Sequence, residues 1–249
     1  MERGKRMDEN EKVNVPENTQ EEAAQPQETP DNDKGENKTP LTKEQIVSDL
    51  TEILESALIT IFVIIMVFCY ILHPVNIIGH SMVPTLNTNY DQDQNNCDRI
   101  FMTTVYGSLK YGDIVVVNND KNYLLDDSGI PYVPEGISPL NECIIKRVIA
   151  VGGQTIDIRD GQVIVDGEVL SEPYINEGSS NNDMGAFTGQ YPITIPEGYY
   201  FVMGDNRNHS TDSRDSKVGL VSDEQVYGKA VVRYAPIQDF KILLDSYKG

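Results

Sequence analysis

Polar and apolar positions divide the chain into three stretches. Residues 1–41 hold almost no large apolar side chains and are rich in Glu, Asn, Gln, Pro and Lys. Such a segment buries too little surface to offset its chain entropy, so the pattern predicts disorder there. From Thr42 onward, Ile46, Leu50, Ile53, Leu54 and Leu58 recur at helical spacing, with Thr42 placed as the N-cap. This lead-in runs into an uncharged stretch, ALITIFVIIMVFCYIL, residues 57–72. With its apolar neighbours that stretch reaches the ~20 residues that a bilayer span needs. A cleaved signal sequence has a short basic leader and a small-x-small site after the apolar run. Here the leader is long and acidic and HPVNII follows. Residues 42–74 therefore read as a lead-in and an uncleaved anchor in a lipid bilayer.

Residues 75–249 change period. Short β-branched or aromatic runs at 113–117, 144–151, 155–170, 199–204 and 227–236 are punctuated by Gly, Asp, Asn and Pro. The Asp-Gly pairs in IDIRDGQVIVDG suit two-residue hairpin turns. The predicted fold class is mainly β, an antiparallel domain behind one N-terminal transmembrane helix. Residues 118–142 read as a polar loop without an assigned role.

Charge and cysteine content narrow the function classes. The net charge of −19 excludes nucleic acid as a partner, because phosphates would be repelled. Lys38 and Lys43 precede the anchor, and no Lys or Arg follows it until Arg99. The positive-inside rule then puts the N-terminus in the cytoplasm and residues 75–249 outside. Cys97 and Cys143 could pair only in an oxidising compartment, and free thiols are the plainer expectation. The three histidines make no ligand pattern with the cysteines, so neither metal nor cofactor is expected.

The candidate chemistry begins at GHSMVPTL, residues 79–86. Ser81 is a poor nucleophile unless a base takes its proton. His80 is adjacent in sequence and would point elsewhere in an extended chain, and no G-x-S-x-G elbow surrounds Ser81. The other solution is a lysine kept neutral by burial, which disfavours the charged form. Lys146 lies in the apolar run CIIKRVIAV, with Arg147 on the opposite face of the strand. A third segment, MGDNRNHSTDSR (203–214), packs Asp, Asn, Arg and Ser into one loop after a strand. His209 within it is the next candidate base.

Together these segments resemble the bacterial type I signal peptidases, membrane-anchored Ser/Lys proteases of the secretory pathway. GHSMVPTL, YGDIVVV (111–117), KRVIAVGGQTI (146–156) and GDNRNHSTDSR (204–214) follow an anchor in the family's order. The resemblance implies Ser81 as nucleophile, Lys146 as general base and Ser210 as a hydrogen-bonding partner that orients the lysine. It implies Asp205, Asp212 and Arg214 as braces, and Ile77, Met82, Leu86, Ile144 and Ile145 as walls of the substrate pocket. It implies secretory preproteins with small residues at −3 and −1 as substrates, cleaved by acyl transfer without a cofactor. Two features depart from larger members. Gly79 stands where many Gram-negative members carry an oxyanion-donating serine, and no cap domain with a cysteine pair separates Lys146 from the last motif. The second resembles the compact Gram-positive enzymes. Two other classes compete. A soluble autocleaving repressor of the Ser/Lys type is disfavoured by the anchor and the acidic charge. An inactive membrane-tethered paralogue is disfavoured by the joint presence of Ser81 and Lys146, although Gly79 favours it.

Overall fold

The computed structural model describes residues 42–88, 97–176 and 178–244; the predicted disordered tail, residues 1–41, lies outside them. Helix α1 spans Lys43–Tyr70 and has no buried residue. Its start is a reciprocal cap: Gln45 N donates to Thr42 Oγ1 at 3.3 Å and Thr42 N to Gln45 Oε1 at 3.0 Å. At 1.5 Å per residue the 28 residues extend about 42 Å. Ile59, Phe62 and their apolar neighbours face outward, uncovered by protein. This is a candidate membrane-spanning helix, the one such helix among the described residues.

The helix ends at Tyr70, short of the Pro74 boundary that the apolar pattern suggested, and strand β1 (Leu72–Asn76) follows almost at once. Pro74 accounts for the early stop. A residue before proline avoids the helical region, which pushes His73 into extended backbone. Proline is tolerated in β1 because that strand is the outermost in its sheet. The junction is tied on both sides: Ile71 N donates to Val67 O at 2.9 Å, and Thr104 N donates to Ile71 O at 3.2 Å. From Thr51 onward the helix and the β domain form one compact unit.

The remaining strands are β2 (Arg99–Thr103), β3 (Ile114–Asn119), β4 (Leu124–Leu125), β5 (Pro131–Tyr132) and β6 (Glu142–Val151). Then come β7 (Thr155–Arg159), β8 (Gln162–Val165), β9 (Glu168–Val169), β10 (Ile193–Thr194) and β11 (Tyr199–Met203). The last are β12 (Val221–Ser222), β13 (Val226–Ala235) and β14 (Lys241–Ile242). The main sheet runs β1-β2-β13-β3-β6-β11-β12, with β14 beside β13, and all its pairings are antiparallel. A second sheet, β10-β7-β8-β9, is built on the two Asp-Gly turns. Asp160 and Gly161 close β7–β8 with φ of 52° and 74°, and Asp166 and Gly167 close β8–β9 with 53° and 84°. Positive φ at both central residues is the type I′ geometry that Asp-Gly favours. The expected polar loop at 118–142 contains the small β4–β5 pair. The mainly β expectation holds.

The β6 strand is central, and its two faces feed different cores. Ile145 packs with Ile77, Met82, Leu86, Ile114 and Val116. Ile144 and Val148 pack with Val115, Val117, Val202 and Val221. β6 pairs with β3 from Glu142 to Arg147, whereas β11 meets it only from Arg147 to Val151. Residues 142–146 therefore keep one edge unpaired among the described strands.

Candidate active site

The loop carrying Ser81 follows β1 and is clamped by a buried polar network that sequence reasoning missed. Asn87 donates through Nδ2 to Ile77 O at 2.7 Å and Gly79 O at 3.0 Å. Its N–H donates to Asp98 Oδ2 at 2.8 Å, and Asp98 N donates to Asn87 Oδ1 at 2.7 Å. Arg233 Nη1 donates to the same Asp98 Oδ2 at 2.8 Å. Asn87 has φ +60°, a conformation that asparagine enters more readily than most residues. The clamp draws the two ends of the Ser81 loop together over the sheet.

Lys146 Nζ donates to Ser81 Oγ at 2.9 Å and to Ile145 O at 2.9 Å. Lys146 is 3% exposed and pairs with no carboxylate among the described residues. Burial lowers its pKa from 10.5 to about 8, against the opposing pull of Asp212, Glu142 and Asp205. The pull stays modest because Asp205 and Asp212 already have cationic partners. Arg147 Nε and Nη2 grip Asp205 at 2.8 and 2.6 Å. Arg214 Nε and Nη2 grip Asp212 at 2.8 and 2.9 Å. Burial opposes ionisation of Asp212, but Arg214 and the Gly204 N–H outweigh it and hold the carboxyl below its ordinary range.

The 204–214 segment reaches the Ser81 loop directly: Asn206 N donates to Ser81 O at 3.0 Å. Gly204 makes the approach possible, since a Cβ there would overlap Ser210 Oγ and Ser81 O. Ser210 is buried over this contact. Its Oγ makes no well-formed hydrogen bond, yet lies near enough to Asp212 to favour the carboxylate. The bond to Lys146 implied by the resemblance is not made, because the amine is directed to Ser81 Oγ and Ile145 O instead.

A second set of residues unseen in the sequence supports this segment from below. Arg207 Nε donates to Gly204 O at 2.9 Å, and its guanidinium pairs with Glu172 and Asn181. The Arg147 guanidinium lies 4.0 Å from the centre of the Tyr174 ring. A run of polar residues between strands gives no hint of Glu172, Asn181 and Tyr174 as partners, because those pairings span tens of positions.

Ser81 and Lys146 border a cleft of about 540 Å³. One wall is formed by residues 75–78 and the other by Leu140 and residues 142–146; Val116, His209 and Thr211 complete the lining. Ile77, Ile144 and Ile145 stand in these walls. Met82 and Leu86 do not: they are 1% and 0% exposed and fill the core behind the loop. No hydrogen bond joins His209 to Ser81 among the described residues. No disulfide forms among the described residues, nor does any group of His, Cys, Asp and Glu there suit a metal ion. The arrangement can deprotonate a hydroxyl with a buried amine beside a peptide-sized cleft.

Comparison with known proteins gives the family of the sequence. The family profile described as signal peptidase, peptidase S26, matches residues 50–235. Signal peptidase I S of Bacillus subtilis (strain 168) is 30% identical over 209 residues, 80% of this chain and 98% of that protein. Signal peptidase IB of Staphylococcus aureus (strain N315) is 30% identical over 204 residues, 78% of this chain and 93% of that protein. A crystal structure of a signal peptidase I from Enterococcus faecalis V583 covers half of this chain and 98% of its own at 25% identity, with a TM-score of 0.36. By sequence, and over three quarters of its length, this chain belongs to the signal peptidase family, peptidase S26.

Proposed function

We propose that the protein is a membrane-anchored serine endopeptidase that removes signal peptides from secreted preproteins, with Ser81 as nucleophile and Lys146 as general base. The observation that carries this reading is the 2.9 Å separation of Lys146 Nζ from Ser81 Oγ, inside a site that lowers the amine's pKa to about 8. Once neutral, Lys146 accepts the hydroxyl proton as Ser81 Oγ attacks the scissile carbonyl carbon. The tetrahedral intermediate collapses, the peptide C–N bond breaks, and Lys146 returns the proton to the departing amine. Water, deprotonated by the same amine, then releases the acyl group. The Ser81 N–H is one oxyanion donor; Gly79 brings no side-chain donor to the second place.

The free edge of β6 supports a peptide substrate. Val148 N donates to Asp113 O at 2.8 Å and Gly112 N to Val148 O at 2.9 Å, so Val148 turns both backbone groups toward the β3 side. Alternation along the strand turns those of Ile145 and Cys143 the other way, into the cleft. An extended signal-peptide segment would add there as a strand, with shallow walls at Ile77 and Ile145 limiting side-chain size at −1 and −3. By charge bias the cleft faces outward and the N-terminus lies in the cytoplasm.

The test is cleavage of a secretory precursor by the detergent-solubilised protein. Cleavage that disappears in Ser81→Ala and when −1 is made bulky is expected. Undiminished cleavage by Ser81→Ala would refute the assignment. External protease on wall-less cells should digest residues beyond 75; protection of that part would reverse the orientation.

A further inference from the structure

The half of β6 that borders the cleft begins with a carboxylate that lies outside the proposed dyad and acts on Lys146 through its charge alone. Glu142 is exposed and lines the cleft. It is the only carboxylate among the described lining residues. Its side chain makes no hydrogen bond or ion pair among the described residues.

The position it would face in a substrate follows from the strand pattern. At Arg147 the free edge of β6 is taken over by β11, so the cleft extends along β6 in one direction only, from Lys146 toward Glu142. A peptide segment held along residues 142–146 therefore lies on one side of the scissile bond. The small-x-small pattern belongs to the signal-peptide side of the cut, so that segment is the C-terminal end of the signal peptide, receding from Ser81 toward Glu142.

Side chains of an extended peptide alternate between two faces. Ile77 and Ile145 share one buried cluster with the residues behind Ser81, and Ile144 belongs to the cluster on the opposite face of the sheet. With the small residues at −1 and −3 turned toward Ile77 and Ile145, those at −2 and −4 turn to the other face. There β6 presents Ile144 and next Glu142. With −1 level with Ile145, Glu142 lies three strand residues, about 10 Å, further along and is level with −4.

We propose that Glu142 is a specificity-determining residue that favours signal peptides with lysine or arginine at the fourth position before the cut. The proposal rests on the added-strand reading of the cleft. The cationic head makes a charge-assisted contact at the cleft rim, and an acidic residue at the same place is repelled.

The experiment uses the full chain in detergent and three precursors identical except for Lys, Gln or Glu at −4. The readout is the ratio of kcat/KM values between precursors, in which any effect of Glu142 on Lys146 cancels. At low salt the wild-type protein should favour Lys over Glu by about fivefold, the scale of an exposed ion pair, and added salt should shrink the preference. Glu142→Gln should bring the ratio near one, and Glu142→Arg should invert it. Equal rates for all three precursors in the wild-type protein would overturn the proposal, as would a Lys preference surviving in Glu142→Gln. Loss of all cleavage in Glu142→Gln would also overturn it, by placing Glu142 in folding or catalysis. Ser81→Ala, run in parallel, keeps the two readings apart: cleavage by that variant sinks the dyad whatever the ratios show.

Discussion

Lys146 and Arg147 are consecutive cations on one strand, both buried, and the protein treats them in opposite ways. Arg147 receives both oxygens of Asp205, the Gly112 carbonyl and the face of Tyr174. Lys146 receives one hydroxyl and one carbonyl. A buried charge is costly unless it is paired and hydrogen-bonded. On one face of β6 the pairing is supplied and the charge stays. On the other it is withheld, while Asp205 and Asp212 are occupied by Arg147 and Arg214, and the amine's pKa drops to about 8. A guanidinium stays charged inside a protein, so its burial calls for the carboxylate that Asp205 supplies, whereas the Lys146 amine, buried without such a partner, gives its proton up more readily and becomes the proposed base.

The largest expected effect comes from removing the unpaired cation. Lys146→Ala should lower precursor cleavage by about 10²- to 10⁴-fold, while thermal unfolding stays level or moves upward because a desolvated amine has been removed. Retention of a tenth of the wild-type rate at pH 8 would end the comparison and point to His209. Next comes the paired cation. Asp205→Ala strands Arg147 in the interior and should cost about 3–5 kcal/mol in a denaturant titration, with activity lost through the fold; a cost below about 1 kcal/mol would mean that Tyr174 and Gly112 suffice for Arg147. Third is the contact that brings the 204–214 segment to Ser81. Gly204→Ala forces a Cβ against Ser210 and Ser81 and should cost about 1–3 kcal/mol, with cleavage falling more than stability. Smallest is the pH dependence. Below about 8 the rate should rise tenfold per pH unit and then level as Lys146 becomes neutral. The unfolded state binds this proton more tightly, so stability should rise with pH between about 8 and 10.5. Both trends should vanish in Lys146→Ala.

How far the sequence reveals these features depends on the range over which each is encoded. Local signals were legible: the Thr42 cap, the Asp-Gly hairpins, and a lysine enclosed by Ile144, Ile145 and Val148. So was the placement of Arg147 away from Lys146, which follows from strand alternation. The apolar pattern overran at residues 71–74, because a membrane helix and a β-strand are both apolar and differ only through Pro74. The resemblance implies Met82 and Leu86 as pocket walls, but a residue beside a nucleophile can face either cleft or core, and these two face the core. Glu172, Tyr174, Asn181 and Asp98 were invisible, since a loop carboxylate awaiting a distant arginine looks like one that faces water. Family resemblance supplied motif residues but not their supports.

The junction between α1 and β1 has a further consequence. With a single residue, Ile71, between Tyr70 and Leu72, and with Thr104 bonded across it, there is no hinge. Ser81 lies eleven residues beyond the helix, so even a fully extended chain would carry it no more than about 36 Å away. In the proposed membrane-anchored reading the protein would act as a ruler. Its cleft would meet only peptide that passes at one height above the lipid, reached by lateral diffusion in two dimensions, and distance from the bilayer would then add to the discrimination made by the cleft walls.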